Sequence, residues 1–184
     1  MTTVSVTTAA GFGQSAFYLH FKNVEECLQV AGERIAQQIR LSVASERRRM
    51  QREALGDFDA ELQFYHFVLG IFDQRGTAEI ILKNRFDPTP LGKVIANLVA
   101  GLRKDLADDL WSVAGRLGLE LKYRPRSDIL ADFLLSNVWA AAEAFIEGRV
   151  TDRELLASQL TMTMKAACAD LFQYCSASGV RAAS

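Results

Sequence analysis

The sequence contains few of the residues that interrupt helices. Only three prolines occur among 184 residues, and two of them, Pro88 and Pro90, lie close together. Long stretches are therefore free of helix breakers, which favours an all-helical chain. The charges nearly cancel, with 21 Lys and Arg against 22 Asp and Glu. Because a balanced chain has no global basic field, any binding to nucleic acid must use a local patch.

Cysteine and histidine are also scarce. The three cysteines, Cys27, Cys168 and Cys175, have no CxxC spacing and are odd in number. Reduced, mostly buried thiols in a cytoplasmic protein are the favoured interpretation, and intermolecular pairing of Cys168 or Cys175 near a dimer axis is the alternative. Only His20 and His66 occur, which excludes a His-rich metal site. We expect no metal ion and no cofactor.

Signatures of catalysis, secretion and membrane insertion are missing as well. No nucleophile motif, phosphate-binding loop or metal-ligand spacing occurs, so we do not expect an enzyme. Residues 1–10 are small and polar rather than basic and then apolar, unlike a signal peptide. No apolar run reaches the roughly 18 to 20 residues needed to span a bilayer. We therefore expect a cytoplasmic protein without a membrane partner.

Six segments beyond the N-terminal region have the apolar spacing of amphipathic helices. The first begins at Asn23, with Glu26 three residues later as in a capping box, and runs to about Arg52. The others are expected over 58–72, 77–85, 90–118, 127–147 and from 151 toward the C-terminus. No segment reads as a strand, so the predicted fold class is all-α.

Residues suited to helix ends mark most of these boundaries. The expected N-terminal positions are Thr89 with Pro90, Ser127, and Thr151 with Glu154 as a second capping box. The expected C-terminal positions are Gly118 and Gly148, and Pro125 lies in the linker between two helices.

A run of arginines ends the first long segment. Arg47, Arg48, Arg49 and Arg52 suit a helix C-terminus, where the helix dipole favours positive charge. A solvated helix end is the favoured interpretation of this run, and contact with a DNA backbone is the alternative.

Residues 6–21 read VTTAAGFGQSAFYLHF, which predicts a short helix, a turn at 11–13 and a second short helix. A helix-turn-helix needs a residue that can adopt a positive φ at its turn, and Gly11 or Gly13 supplies it. The second helix of such a motif enters the major groove with its first residues near the base edges. Gln14 can make paired hydrogen bonds to adenine there, and Ser15 can bond to several bases or to phosphate.

This constellation resembles the DNA-binding motif of the tetracycline-repressor (TetR) family of bacterial transcription regulators. Members of that family carry a stretch like T-V-x-x-I-A-x-x-A-G-V-S-x-x-T-F-Y-x-H-F-x-x-K-E-x-L. The matching residues stand without a gap as Thr2-Thr3, Val6, Ala10-Gly11-Phe12-Gly13, Phe17-Tyr18, His20-Phe21, Glu25-Glu26 and Leu28. The order and lengths of the six following helices are also similar to the family's regulatory domain, so the resemblance covers nearly the whole chain.

The resemblance implies a division into a DNA-binding part and a regulatory part. The first, at 1–45, is a partial helix-turn-helix domain with the start of the connecting helix, and the second, at 46–184, is a ligand-binding and dimerisation domain. The implied DNA-contacting residues, including the two at the start of the second helix, are Thr2, Thr3, Gln14, Ser15, Tyr18, His20 and Lys22. Phe17 and Phe21 are expected in the core.

One departure from the family concerns the N-terminus. Family members usually begin with a further helix that packs under the helix-turn-helix, and this sequence starts at the edge of the next helix. The hypothesis that follows is a truncated and loosely held DNA-binding head.

The resemblance also implies a pocket for a small inducer and a dimer formed by the last two helices. The candidate pocket residues are Phe64, Phe67, Phe86, Trp111 and Trp139, although an aromatic residue at helical spacing is also typical of a core. The helix at 128–147 is apolar nearly all round, so one of its faces needs a partner besides its own domain. We therefore expect a homodimer.

Together these features predict a DNA-binding transcription regulator, more often a repressor than an activator. Its partners are a double-stranded DNA operator and a small-molecule effector whose identity the sequence does not contain. The alternative is a ligand-binding helical dimer that no longer binds DNA because its first helix is absent.

Overall fold

A computed structural model describes residues 2–53, 57–73, 75–116 and 126–169. These residues form eight α-helices and a 3₁₀ turn at Ile71–Asp73, without any strand among them. The helices are α1 (Thr3–Ala10), α2 (Gln14–His20), α3 (Val24–Glu53), α4 (Phe58–Gly70), α5 (Arg75–Asn84), α6 (Pro90–Arg116), α7 (Ser127–Ile146) and α8 (Arg153–Ala167). The all-α prediction is confirmed, and the helices follow the six segments and two short N-terminal helices expected from the sequence.

Local capping explains several of the boundaries. The Asn23 side chain accepts a hydrogen bond from the Glu26 N–H at 2.8 Å, as predicted, but the Glu26 carboxylate accepts from the Lys22 N–H rather than closing the box on Asn23. Thr89 caps α6, because its hydroxyl accepts from the Gly92 N–H at 3.2 Å and the helix begins at the next residue. Sequence-local hydrogen bonds therefore fix these two N-termini.

Two predicted caps are wrong. The N-cap position of α7 is Arg126, which makes no side-chain capping bond, and Ser127 is the first helical residue. At the start of α8 the cap is Asp152 rather than Thr151, since the Asp152 carboxylate accepts from the Leu155 N–H at 3.1 Å. A carboxylate is the better acceptor at the positive end of a helix. Three further predictions, for Gly118, Pro125 and Cys175, lie outside the described residues.

Helices α3 to α8 pack into one body with shared apolar contacts. Helix α6 lies between α3 and α7, while α4 lies against α3 and α8. The largest groups of buried side chains that hold these helices together are Leu110, Val113, Ala114, Leu134 and Cys168, then Tyr65, Leu69, Ala141, Ala157 and Leu160, and last Phe72, Ala78 and Ala142. We call these helices, with the 3₁₀ turn, the body, and residues 2–22 the head.

Candidate functional sites

The head consists of α1, a three-residue turn and α2. Thr2 caps α1 in a capping box with Ser5, and Gly11 ends the helix in the left-handed region with a φ of 71°. The Phe12 N–H then donates to the Thr7 carbonyl at 2.9 Å, which closes the turn. Gly11 is thus the residue that the turn requires, and Gly13 has ordinary extended geometry with a φ of −75°.

The structure gathers most of the predicted DNA-contacting residues on the outside of the head. Gln14 and Ser15 are exposed at the first turn of α2, where backbone N–H groups lack helical partners. The Thr3 and Tyr18 hydroxyls share a hydrogen bond of 3.3 Å, which joins the start of α1 to α2. The remaining predicted positions, all exposed, are Thr2, His20 and Lys22.

The interior of the head is small. Phe17 is 7% exposed, and its ring centroid lies 5.4 Å from that of Tyr18 and 5.4 Å from that of Phe21. Phe17 therefore forms the core that was predicted, whereas Phe21 is only partly buried. By contrast Phe12 is 69% and Leu19 is 82% exposed. The head thus leaves more large apolar side chains on its surface than it buries.

A cavity lies in the body between α3, α4, α6 and α7, with a volume of about 90 Å³. Its wall is almost wholly apolar and includes two of the predicted pocket residues, Phe64 and Trp139. The sequence did not single out the other lining residues, among them Tyr65, Phe72 and Leu98. Their apolar periodicity marked them as buried, but only the packing of five helices and the 3₁₀ turn shows which of them border empty space.

Three of the predicted pocket residues lie elsewhere. Phe67 borders a separate depression between α3 and the end of α4. Phe86 is 86% exposed on an outer groove, because the chain leaves α5 at Asn84 and carries this side chain away from the cavity. Trp111 is half-buried on α6 and is not among the residues that line the cavity. Phe67, Phe86 and Trp111 are therefore not among the residues that line this cavity.

Arg47 is the charged residue that the sequence interpretation misplaced. It was expected in a solvated helix end, yet it is 8% exposed and lines the cavity, while its neighbour Arg48 is exposed. The spacing in the sequence could have indicated that Arg47 is buried. Ile39, Val43 and Arg47 follow one another every four residues and so share one face of α3. All three lie on the cavity wall.

Two ion pairs join α3 to α6 beside the cavity. Arg47 pairs with Asp109, and Arg40 makes two hydrogen bonds of 2.8 Å to Asp105. Burial raises the pKa of Asp109 above its ordinary value, whereas the hydrogen bonds from Arg40 hold the pKa of Asp105 below it. The two carboxylates thus differ in how much protein surrounds them, although they lie one turn apart on the same helix.

The last two helices carry apolar side chains on their exposed faces. On α7, Ile129 is 69% and Phe133 is 50% exposed, and on α8, Leu155 is 57% and Met162 is 48% exposed. Spacings of four and seven residues place each pair on one face of its helix. An uncovered apolar face of this kind is typical of an interaction surface.

By length and composition alone, α7 satisfies the requirements of a membrane span. Its 20 residues include a window with a mean hydropathy of 1.5, of which 28% is buried in the protein. The core helix of a soluble protein can pass the same test, and one such helix is weak evidence for a span. Two of its carboxylates pair with arginines outside α7, Glu143 with Arg85 just after α5 at 2.5 Å and Asp132 with Arg103 of α6 at 3.3 Å.

The described part of the chain contains no group of three or more His, Cys, Asp or Glu side chains placed to hold a metal ion. Comparison with known proteins adds no relative: no family model, no curated protein and no solved structure matches the chain. The likeness to TetR-type regulators therefore rests on the motif residues and the order of the helices.

Proposed function

We propose that this chain is a cytoplasmic DNA-binding transcription regulator, acting as a repressor, whose affinity for an operator is controlled by a small-molecule effector. The observation that carries the proposal is the course of α3. This helix of 30 residues starts beside the head, and its later residues Ile39, Val43 and Arg47 line the cavity. At 1.5 Å per residue it is about 45 Å long, so a single rigid element connects both candidate sites.

The head has the chemistry for reading a duplex. Gln14 and Ser15 stand exposed at the start of α2, the position from which a recognition helix reaches base edges. Thr2 and Thr3 lie at the N-terminus of α1, where backbone N–H groups favour a phosphate. Contacts to phosphate set register and affinity, while the two polar residues of α2 supply sequence preference.

Control by an effector follows from the position of the cavity. A ligand shifts an equilibrium between two conformations only through a difference in its affinity for them. A molecule in the cavity contacts α3 directly, so any conformation that moves α3 relative to α6 changes those contacts. The difference in the free energy of ligand binding between the two conformations then changes the affinity for the operator by the same amount, because coupling between two sites is reciprocal.

A homodimer formed by α7 and α8 completes the proposal, since a twofold pair of heads can engage two half-sites about 34 to 36 Å apart. The support is the exposed apolar side chains of both helices. Phe133→Glu should give the mass of one chain by light scattering at micromolar concentration, while the wild type gives twice that mass. Leu41→Glu, an exposed apolar position on α3, is the matched control and should remain dimeric. A wild type with the mass of one chain would contradict the dimer.

DNA binding is tested by fluorescence anisotropy with a labelled duplex from upstream of the gene and a random duplex. The wild type should prefer the upstream duplex, and its affinity should fall as the salt concentration rises. Gln14→Ala should reduce that preference about tenfold, the discrimination expected from one side chain paired with a base, with little change on the random duplex. Thr8→Ala, at an exposed position of α1, should bind as the wild type does.

A ligand-binding dimer that does not bind DNA is the second candidate. The observation in its favour is that Lys22 is the only lysine or arginine among residues 1–22. Because phosphate contacts by cations supply most non-specific affinity, such a head binds DNA weakly. If the wild type does not distinguish the upstream duplex from the random one at any salt concentration, the regulator proposal fails and this candidate replaces it.

A further inference from the structure

The cavity wall contains one charged residue among the described residues that line it, Arg47. Its side chain is 10% exposed and pairs with Asp109, whose side chain is 31% exposed. Tyr65 and Trp139 contribute the other polar side-chain atoms of the wall, and the remaining lining residues are aliphatic or phenylalanine. A ligand in this cavity therefore meets a mostly apolar wall on which Arg47 supplies the one charged side chain among the described lining residues.

The two members of this ion pair are not equally dependent on each other. Asp109 reaches partial solvent and is also hydrogen-bonded to Gln51, so it can be hydrated or can take up a proton when Arg47 is withdrawn. Burial already raises the pKa of its carboxyl. Arg47 has neither option, because a guanidinium stays charged and its surroundings are apolar. A buried guanidinium that loses one carboxylate needs another.

We propose that the cavity takes a small apolar molecule ending in a carboxylate, and that this carboxylate replaces Asp109 as the partner of Arg47. The inference rests on the proposed function, in which the cavity is the effector site. It adds the chemical class of the effector and the residue that recognises it. Planar carboxylates suit the guanidinium fork, which binds them through two parallel hydrogen bonds.

The exchange of Asp109 for the ligand as the partner of Arg47 also explains how ligand binding in the cavity affects the head. Among the described residues, Arg47–Asp109 and Arg40–Asp105 are ion pairs between α3 and α6. When the ligand takes Arg47, one of these links opens while Arg40 still holds Asp105. One of the two ion pairs that hold α3, the helix next to the head, against α6 is then lost, while the two helices stay in contact.

Calorimetry on the full chain tests the ligand class with butyrate, hexanoate and octanoate, each beside its matched straight-chain alcohol. The wild type should bind the best carboxylate at least about tenfold more tightly than its alcohol, since a hydrogen bond to a charged group is stronger than one to a neutral group. Fluorescence of Trp139, which lies on the wall, gives a second readout of binding in the same titration.

Variants of the two ion pairs separate recognition from general weakening. Arg47→Met should abolish the preference for carboxylate and leave the alcohol's affinity unchanged, and Arg47→Lys should retain part of the preference. Asp109→Asn should tighten carboxylate binding at least about threefold, because the competing anion is gone. Arg40→Met removes the neighbouring ion pair outside the cavity and should keep the wild-type preference.

The outcomes distinguish this inference from the proposed function. Equal binding of carboxylate and alcohol, blocked by the cavity-filling Val68→Phe, overturns the carboxylate class and leaves an apolar effector site. Absence of binding by every probe overturns the inference, while operator binding in the anisotropy assay is judged separately. Tight, Arg47-dependent carboxylate binding without any change in DNA affinity supports the inference and removes effector control from the proposed function.

Discussion

The head and the body are both helical, but they are stabilised to very different extents. The head has helices of 8 and 7 residues, and Phe17 is its one buried hydrophobic residue within 2–22. The body has helices of up to 30 residues and several groups of buried side chains. Because isolated helices shorter than about 12 residues are marginal in water, the head depends on its turn and on the ring contacts of Phe17 with Tyr18 and Phe21.

The head and the body also differ in whether the polar side chains of their candidate sites are exposed or buried. In the head, the polar side chains that the proposed function uses, such as Gln14 and Ser15, are exposed and free to meet a partner. In the body, the charged group nearest the cavity, Arg47, is buried and already paired. Recognition by the head thus needs little rearrangement of side chains, whereas recognition in the cavity exchanges one buried partner for another.

The largest expected effect contrasts the interiors of the two regions. Leu69 is 0% exposed in the body, so Leu69→Ala should lower the free energy of unfolding by about 3 kcal/mol, through lost burial and the cavity left behind. Leu19→Ala in the head, at 82% exposure, should change it by less than about 0.5 kcal/mol. Urea denaturation at one fixed protein concentration measures both. Similar losses for the two variants would mean that the regions are equally packed.

A smaller effect concerns a buried carboxyl of the body. Glu61 is 3% exposed, and burial raises its pKa from 4.5 to about 7. The folded chain therefore keeps a proton that the unfolded chain releases, and stability falls as the pH rises from about 4.5 to about 7. Glu61→Gln should be more stable than the wild type by about 2 kcal/mol at pH 8 and nearly equal to it at low pH.

Denaturation of both proteins across this pH range measures the difference. Glu25→Gln makes the same substitution at an exposed carboxyl of α3 and is the control for it. A wild type whose stability does not fall toward pH 8 relative to Glu61→Gln would show that Glu61 is solvated.

The smallest effect compares two glycines with the same backbone conformation. Gly11 of the head has a φ of 71° and Gly148 of the body has a φ of 72°, and both have open space where a Cβ atom would lie. Alanine at either position costs about 1 kcal/mol in the left-handed region. Gly148→Ala should lower the global free energy of unfolding by that amount. Gly11→Ala should leave global unfolding unchanged and speed amide exchange over residues 3–21.

Hydrogen exchange followed residue by residue measures this difference, with the wild type as reference. Amides of residues 3–21 should exchange faster than those of the body helices even in the wild type, because local opening needs few buried contacts to break. Strong protection across the head would contradict the hypothesis that it is loosely held.

The sequence predicted best those features that depend on near neighbours. The turn at Gly11, the Asn23 and Thr89 caps and the extent of α3 all arise from contacts between residues a few positions apart. The caps that were wrong, at Ser127 and Thr151, lie where two adjacent polar residues compete for one helix end. A sequence pattern shows that a helix starts nearby, but the cap is chosen by the path of the incoming chain.

The two candidate sites, in the head and in the cavity, also differ in how much of each could be predicted from near neighbours in the sequence. The candidate site of the head could be predicted from its motif, because the seven residues predicted to contact DNA lie within 21 consecutive residues, from Thr2 to Lys22, and are exposed or partly exposed. The cavity could not, since its wall combines residues of five helices and the 3₁₀ turn that are far apart along the chain. The resemblance suggested Phe64 and Trp139, which lie on this wall, and also Phe86, which does not.

Periodicity and capping act over three or four residues, so the all-α class, most helix boundaries and the polar motif of the head could be predicted from the sequence. The burial of Arg47, its pairing with Asp109 and the cavity beside it arise from contacts between helices that are distant along the chain. Whether an arginine at a given turn of α3 meets water or a carboxylate depends on where α6 lies. That position follows from the packing of the whole body.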